Sequence, residues 1–244
     1  MDRIIGHEGQ LMRPGWTWAG CAVRLQATVG RPVELRPGRG MQRQQHWDSI
    51  YNTKSEQRVS WFEALPLVSL RMMESAGLTS ETCVIDVGGG DSRLIDQLVA
   101  RGLDCLAVLD VSATALARAR SRLGHAASVP TWLEADVTGE WSLKPMDIWH
   151  DRAVFHFLLS ADDRDRYRSR LLGTLKQGGS AIVATFALDG PDTCSGLSVR
   201  RYGPETLAVE LGPELRLIES VPHVHTTPWG ASQPFMYCRF QRLA

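Results

Sequence analysis

Residues 83–99 read CVIDVGGGDSRLIDQLV, a short apolar run followed by three consecutive glycines and an amphipathic run. The first run is typical of a buried strand. The apolar positions of the second fall on one face of a helix: Leu94, Ile95, Leu98 and Val99. The glycines therefore join a strand to a helix. Because glycine has no Cβ, such a turn lets a ligand approach the backbone at the carboxyl end of the strand.

The same alternation of strand and helix recurs downstream. DCLAVLDV predicts a second strand ending at Asp110, and the next helix is capped by Ser112 and stopped by Gly124. TWLEADV, MDIWHDRA and SAIVATFAL predict three more strands. Ser160 and Asp163 predict a capping box at the start of the helix SADDRDRYRSRLLGTLKQGG.

The last segment, LRLIESVPHVHTTPWGASQPFMYCRFQR, has no helical period and predicts two strands around a Pro/Gly turn. Strands that alternate with helices favour right-handed crossovers and a parallel sheet. We therefore predict an α/β, Rossmann-like fold: a doubly wound, mostly parallel seven-stranded sheet with helices on both faces and a C-terminal antiparallel hairpin.

Composition excludes several classes of protein. Lys plus Arg and Asp plus Glu number 27 each, so charge favours neither nucleic acid nor a membrane surface as a partner. No apolar run approaches the roughly 18 residues that a membrane span needs. The five cysteines form no CxxC pair, and Cys83 and Cys105 lie inside apolar strands, where we expect core residues. A reducing compartment fits best, and we predict a cytoplasmic protein.

The first 40 residues differ from the rest of the chain. They lack a sustained period and are interrupted twice by RPG. We expect residues 1–40 to be a poorly ordered extension, and Met41 is a possible natural start. Residues 41–244 are then a single domain, with an N-terminal helical lid over 41–80 and the Rossmann-like core over 81–244.

Acidic residues end three neighbouring predicted strands. Asp86 precedes the glycines by two residues, Asp110 ends the second strand, and Asp136 ends the third. In this type of sheet a ligand binds at the carboxyl ends of the strands. The third glycine of the dinucleotide pattern GxGxxG is absent, and Asp86 would sit poorly beside a pyrophosphate. The three acids instead suit a nucleoside joined to a cationic or amino-acid-like group.

From about Gln45 to Phe240 the chain resembles a class I S-adenosylmethionine-dependent methyltransferase. VIDVGGGDS resembles the family's first motif, AVLDVS its ribose-binding strand end, LEADV its adenine-contacting strand end and LKQGGSAIVATF its fifth-strand entry. HWDSIYNTK, VSWFE, WHDRAVFHFL and ATFALDGPDTCSGL resemble segments of a small bacterial branch of that family.

The resemblance implies S-adenosyl-L-methionine as the cofactor and a set of contacts to it. The glycine turn would bind the methionine part, the end of the second strand the ribose, and the end of the third strand the adenine. The implied cofactor-binding residues are Asp86, Gly88, Gly89, Gly90, Asp110, Val111, Asp136 and Val137.

Three polar residues end the fourth strand, where the resemblance places the reactive methyl group. His150, Asp151 and Arg152 are therefore candidate catalytic residues. His150 either takes a proton from the acceptor or packs over the cofactor, and Arg152 either orients an anionic substrate or pairs with a neighbouring acid. His223 and His225 lack a third ligand at recognisable spacing, so no metal is predicted.

Five further residues are candidates for a lid or for substrate contact. Trp47, Tyr51 and Trp61 precede the first strand and form either an aromatic lid or a hydrophobic contact with the sheet. His156 lies in an apolar run, which favours a role in packing. Cys194, in the loop after the fifth strand, would line the mouth of the site.

These observations predict methyl transfer, by in-line displacement, to an O, N or S atom of a small-molecule acceptor. A protein lysine methyltransferase is the main alternative. A nicotinamide-dependent dehydrogenase is weaker, because the third glycine is missing and the YNTK segment, Tyr51–Lys54, precedes the first strand. A non-catalytic cofactor-binding protein is the remaining alternative. No nucleic acid or membrane partner is predicted.

Overall fold

The structure, a computed structural model, describes residues 39–244. Residues 1–38, most of the predicted extension, lie outside the described residues, so that expectation stays a prediction. No helix in the described part of the chain has the length and apolar character that a membrane crossing requires.

A single large sheet organises the described residues, and a two-stranded hairpin accompanies it. The strands are β1 (Val84–Val87), β2 (Leu106–Asp110), β3 (Thr131–Glu134), β4 (Met146–Arg152), β5 (Leu175–Phe186), β6 (Thr193–Cys194), β7 (Leu197–Ser198), β8 (Leu215–Thr226) and β9 (Ser232–Arg242). Seven of them form the sheet in the order β3-β2-β1-β4-β5-β9-β8, while β6 pairs with β7. Strands β1 to β5 are parallel, and β9 is antiparallel to both β5 and β8. The predicted fold class is confirmed.

Six α-helices connect or cover these strands in the described residues. They are α1 (Arg39–Thr53), α2 (Leu67–Ser75), α3 (Leu94–Ala100), α4 (Ala113–Leu123), α5 (Ala161–Thr174) and α6 (Pro204–Leu211). The predicted N-caps are present: Ser112 Oγ accepts from the Ala115 N–H at 3.2 Å, and Ser160 Oγ accepts from the Asp163 N–H at 3.2 Å. Gly124 ends α4 with a φ of +57°.

Strand β4 shows how the sheet is buried on both faces, since its side chains alternate between them. Trp149 packs with Phe155 and Tyr167 on one face, and Ile148 packs with Leu94 on the other. Because helices cover both faces, a ligand can reach the sheet only at its ends. The carboxyl ends of the parallel strands are therefore the place to look for a site.

Cys83 and Cys105 contact the core as predicted, but the disulfide that joins them was not predicted. Val84 lies opposite Leu106 in the parallel pair of β1 and β2, so the preceding residues stand side by side with Cα atoms 4.6 Å apart. That register cannot be read from either strand alone. Because disulfides persist mainly in oxidising compartments, the pairing removes the cysteine argument for a reducing compartment.

The segment between α5 and the buried part of β5 differs from its prediction. The predicted helix extends through Gly179, whereas α5 ends at Thr174 and Leu175 pairs with Met146 at the start of β5. The helix ends because Leu175 has extended backbone angles, with a φ of −74° and a ψ of 132°, and joins the strand. The hairpin of β6 and β7 and the helix α6 were not predicted either.

Candidate active site

Two adjoining cavities lie at the carboxyl ends of the parallel strands. The larger encloses about 860 Å³, part of it open to solvent, and the smaller about 600 Å³. They share Tyr51, Trp61, Gly88 and Arg152 as wall residues. The glycine turn and the three predicted acids all lie at this edge of the sheet.

The glycine turn leaves no room for side chains. Gly88 and Gly90 have φ angles of +66° and +37°, a region that favours glycine. A Cβ at Gly88 would overlap the side chain of Val154, and a Cβ at Gly89 would lie 2.6 Å from Asp86 Oδ2. Gly88 lines both cavities and Gly89 lines the smaller one, so this turn forms part of their wall.

Asp86 and His150 are register partners on the adjacent strands β1 and β4. His150 Nδ1 lies 2.7 Å from Asp86 Oδ1, and His150 Nε2 lies 2.9 Å from Ser69 Oγ on α2. Both ring nitrogens are thus engaged, and both side chains are almost completely buried. The other carboxylate oxygen, Asp86 Oδ2, is buried and has no hydrogen-bond partner among residues 39–244. It is available to a donor from a ligand.

Asp110 is buried at the end of β2 and lines the larger cavity. Its Oδ1 accepts from the Ser112 N–H at 2.8 Å. Burial raises the pKa of this carboxyl to about 7, and the negative charges of Asp86 and Asp48 also raise it. The hydrogen bond from Ser112 lowers the pKa but does not outweigh them. A cluster of carboxylates in so little space favours a ligand that donates hydrogen bonds or carries positive charge.

Asp136, two residues after β3, lines the same cavity but is already bonded within the protein. Arg43 on α1 donates to its Oδ2 at 3.0 Å, and the N–H and hydroxyl of Thr138 donate to its Oδ1 at 2.8 and 2.7 Å. Oδ2 therefore has room for one further donor. Val111 and Val137 provide apolar wall beside these acids.

The three predicted lid aromatics come together at the cavity wall. Trp47 and Tyr51 on α1 each meet Trp61 edge-on, with ring centroids 5.7 and 6.0 Å apart. Trp47 also meets Phe157 at 5.2 Å. Helix α1 is fastened to the core by Asp48, which accepts from the Ser112 hydroxyl at 2.6 Å. We call α1 the lid helix.

Arg152 lies between the two cavities and is held on several sides. Its Nε donates to the Tyr237 hydroxyl at 2.8 Å, and its Nη1 donates to the Trp61 carbonyl at 2.9 Å. Its Nη2 lies 3.1 Å from Glu63 Oε1, and the guanidinium stands 4.9 Å from the centroid of Phe235. These contacts correspond to the structural alternative for Arg152, a pair with a neighbouring acid.

Glu63 balances the charge of Arg152. Burial would raise the pKa of Glu63, but the hydrogen bond from His225 and the charge of Arg152 outweigh it, and the pKa is lowered. His225 Nε2 also donates to the Ser60 carbonyl at 2.6 Å. Strand β8 thereby holds the loop that carries Trp61.

Asp151 does not reach either cavity. It is completely buried, and its carboxylate accepts from the N–H groups of Val154 at 2.8 Å and Phe155 at 3.1 Å and from the Tyr167 hydroxyl at 2.7 Å. Burial raises the pKa of Asp151 to about 6, although these hydrogen bonds act to lower it. The predicted catalytic role for Asp151 does not fit this geometry, because the side chain faces the core.

We expect Asp151→Ala to lower the free energy of unfolding by about 2–4 kcal/mol, since it leaves buried donors unpaired. Tyr167→Phe, which removes only one of those donors, should have a smaller effect. Urea denaturation at pH 7.5 measures both. Unchanged stability of Asp151→Ala together with lost activity would restore the catalytic interpretation.

The remaining candidates, His156 and Cys194, differ in position. His156 is buried between Phe157 and Phe186 and lines neither cavity. Burial, followed by the charge of Arg152, lowers its pKa to about 3, so it is a neutral packing residue. Cys194 lines the larger cavity, and burial raises the pKa of its thiol.

Some wall residues were missed from the sequence. Arg43 is spaced four residues from Trp47 and eight from Tyr51, so a helical face could have revealed it. Gln233 and Phe235 on β9 also line the larger cavity, and no motif marks them.

Known proteins share this architecture. The protein-family model described as Methyltransferase domain matches residues 85–183. A comparison with curated proteins finds no match.

Three solved structures show the extent of the likeness. A S-adenosylmethionine-dependent methyltransferase from Anabaena variabilis has a TM-score of 0.64 at 13% identity, over 85% of this chain and 96% of that one. The 1,6-didemethyltoxoflavin-N1-methyltransferase of Burkholderia thailandensis has a TM-score of 0.59 at 14% identity, over 84% and 85%. The N-methyltransferase NodS of Bradyrhizobium japonicum has a TM-score of 0.56 at 18% identity, over 73% and 94%. Residues 85–183 thus match a methyltransferase domain, and the described chain shares its fold with these methyltransferases.

Proposed function

We propose that the protein transfers a methyl group to a small-molecule acceptor bound in the larger cavity. The observation that carries this proposal is the cavity itself. Gly88, Asp110 and Asp136 line it at the ends of β1 to β3, Phe157 and Phe186 line it after β4 and at the end of β5, and Phe235 lines it from β9. One half thus suits the cofactor and the other an acceptor.

The residues fit S-adenosylmethionine. The buried Asp86 Oδ2 has no partner within the described residues, which suits an N–H donor of a cationic group. Asp110 lines the larger cavity, so a ligand bound there can reach its carboxylate. Asp86 with the glycines, Asp110 with Val111, and Asp136 with Val137 would hold the methionine, ribose and adenine parts. The bound cofactor supplies an electrophilic methyl group on a sulfonium.

A small molecule is the acceptor that the cavity and the relatives support. Aromatic side chains and the lid helix restrict the acceptor half of the cavity. The Burkholderia enzyme of the same fold was solved with 1,6-didemethyltoxoflavin bound. Both observations support an acceptor of limited size.

The protein's own contribution is alignment and exclusion of water rather than proton transfer. In the acceptor half, the described ionisable wall residues are Arg152, which is paired with Glu63, and Cys194, whose thiol has a raised pKa. Neither suits a general base at neutral pH. Holding the acceptor in line with the methyl group and out of water can supply much of the rate enhancement.

His150 then acts as a positioning residue for Asp86. We expect His150→Ala to raise the KM for S-adenosylmethionine by roughly 10-fold or more, because one buried hydrogen bond to a charged group is lost, and to change kcat little. Steady-state kinetics at saturating acceptor separates the two parameters. A large loss of kcat with intact cofactor binding would instead make His150 the general base.

The first experiment is calorimetric titration with S-adenosylmethionine, S-adenosylhomocysteine and NADH, with Asp110→Ala as control. Binding of the first two, lost in the control, supports the cofactor site. Lysate incubated with the enzyme and methyl-labelled cofactor is then divided into protein and small-molecule fractions. Enzyme-dependent label in the small-molecule fraction supports the proposal, and label confined to protein contradicts it.

A further inference from the structure

Two groups of aromatic residues line the acceptor half of the larger cavity. In the first group, Trp47 meets Trp61 and Phe157 edge-on. In the second, the rings of Phe186 and Phe235 have centroids 4.8 Å apart. Aromatic walls interact with the faces and edges of a flat π system more favourably than with a puckered aliphatic ring of the same size.

Charge in this half of the cavity is balanced before any acceptor binds. The guanidinium of Arg152 is matched by the carboxylate of Glu63 at 3.1 Å, and burial of Cys194 raises its pKa and keeps the thiol neutral. A carboxylate or phosphate entering here would lose its hydration without gaining an uncompensated cation. A neutral acceptor is therefore favoured.

Gln233 offers a hydrogen-bond acceptor in this half of the cavity. Its side chain lines the cavity from β9, and its Oε1 is buried without a hydrogen-bond partner in the part of the chain that the structure describes. A buried carbonyl oxygen without a donor costs about 1–3 kcal/mol. An N–H or O–H group on the acceptor would recover that loss and fix the orientation of its ring.

We infer that the acceptor is a neutral, planar aromatic molecule that donates an N–H or O–H hydrogen bond to Gln233 Oε1. This inference rests on the proposed function and deepens it. Gln233 is then a specificity-determining residue, and the aromatic residues of the wall favour a planar acceptor.

Four probes of similar size test the inference on protein saturated with S-adenosylhomocysteine. They are 2-naphthol, 2-methoxynaphthalene without a donor, anionic 2-naphthoate and non-planar decahydro-2-naphthol, each measured by equilibrium dialysis. We expect 2-naphthol to bind roughly 10-fold tighter than each of the others, in line with one recovered hydrogen bond or one lost stack.

Gln233→Leu should remove the preference for 2-naphthol over 2-methoxynaphthalene without changing the affinity for S-adenosylhomocysteine. Gln241→Leu is the matched control on the same strand, since the Gln241 side chain pairs with Arg216, and it should keep the preference.

Tightest binding by 2-naphthoate, equal binding by decahydro-2-naphthol, binding by none of the probes, or a preference that survives in Gln233→Leu would overturn the inference. Each of these results would leave the proposed function standing. Failure of S-adenosylhomocysteine to bind would contradict the proposed function itself, and the inference with it.

Discussion

Asp110→Asn should stabilise the free protein above pH 7 and weaken S-adenosylmethionine binding by roughly 100-fold, the equivalent of two hydrogen bonds to a charged group. Burial, with the charges of Asp86 and Asp48, raises the pKa of Asp110 to about 7. At higher pH the folded protein must therefore keep an ionised carboxylate in a buried site that disfavours its charge. This lowers the free energy of unfolding by about 4 kcal/mol. Asparagine keeps the acceptor for the Ser112 N–H and carries no charge.

The pH dependence of this effect has a definite sign. The carboxyl of Asp110 ionises near pH 3.8 in the unfolded chain and near pH 7 in the fold. Below about pH 4 it is protonated in both states, so protein and variant should be equally stable with respect to this group. As the pH rises from about 4 to about 7, the unmodified protein loses stability relative to the variant, and above pH 7 the difference is complete.

Urea unfolding at pH 5, 6, 7 and 8 follows the stability difference, and calorimetry at pH 8 follows the affinity. The idea fails if Asp110→Asn is the less stable protein at pH 8, or if it binds the cofactor as tightly as the unmodified protein.

Gly90→Ala should lower the affinity for the cofactor by roughly 100-fold and the free energy of unfolding by about 2–3 kcal/mol. Backbone strain and overpacking contribute together. Gly90 has a φ of +37°, and the added Cβ would lie 2.6 Å from Asp110 Oδ2 and 3.2 Å from the Tyr51 hydroxyl. The carboxylate that is proposed to bind the ribose must then move. Calorimetry with S-adenosylmethionine and a urea titration measure the two losses.

Gly102→Ala is the matched control. Gly102 also has a positive φ, +81°, but a Cβ there meets nothing within 4 Å. This variant should show only the strain of the backbone, about 1–2 kcal/mol, and bind the cofactor normally. Equal losses of cofactor affinity in the two variants would show that the contact of the new Cβ with Asp110 does not cause the loss in Gly90→Ala.

The fold and the acids at the strand ends could be predicted because their signals are local. Asp86 and Asp110 each end a short apolar run, and the residues that follow begin a helix, so position at the edge of the sheet follows from a dozen residues of sequence. Trp47 and Tyr51 were visible in the same way, as aromatic residues spaced along one helix.

Contacts between segments that are distant in the chain could not be predicted from the sequence. His150 could be assigned to a strand end, but its neighbour Asp86 stands 64 residues earlier, and only the register of β1 with β4 decides that the ring turns to Asp86. Arg43 and Asp136 are 93 residues apart, and either could have been solvent-exposed. Cys83 and Cys105 depend on register in the same way.

The contacts that hold the lid helix to the core predict how its attachment depends on salt. Arg43 bonds to Asp136 and Asp163, and Asp48 bonds to Ser112, so one wall of the cavity is tied to the core through charged groups. Because dissolved salt screens charge pairs that are partly exposed, we expect the lid helix to be held less tightly to the core as ionic strength rises.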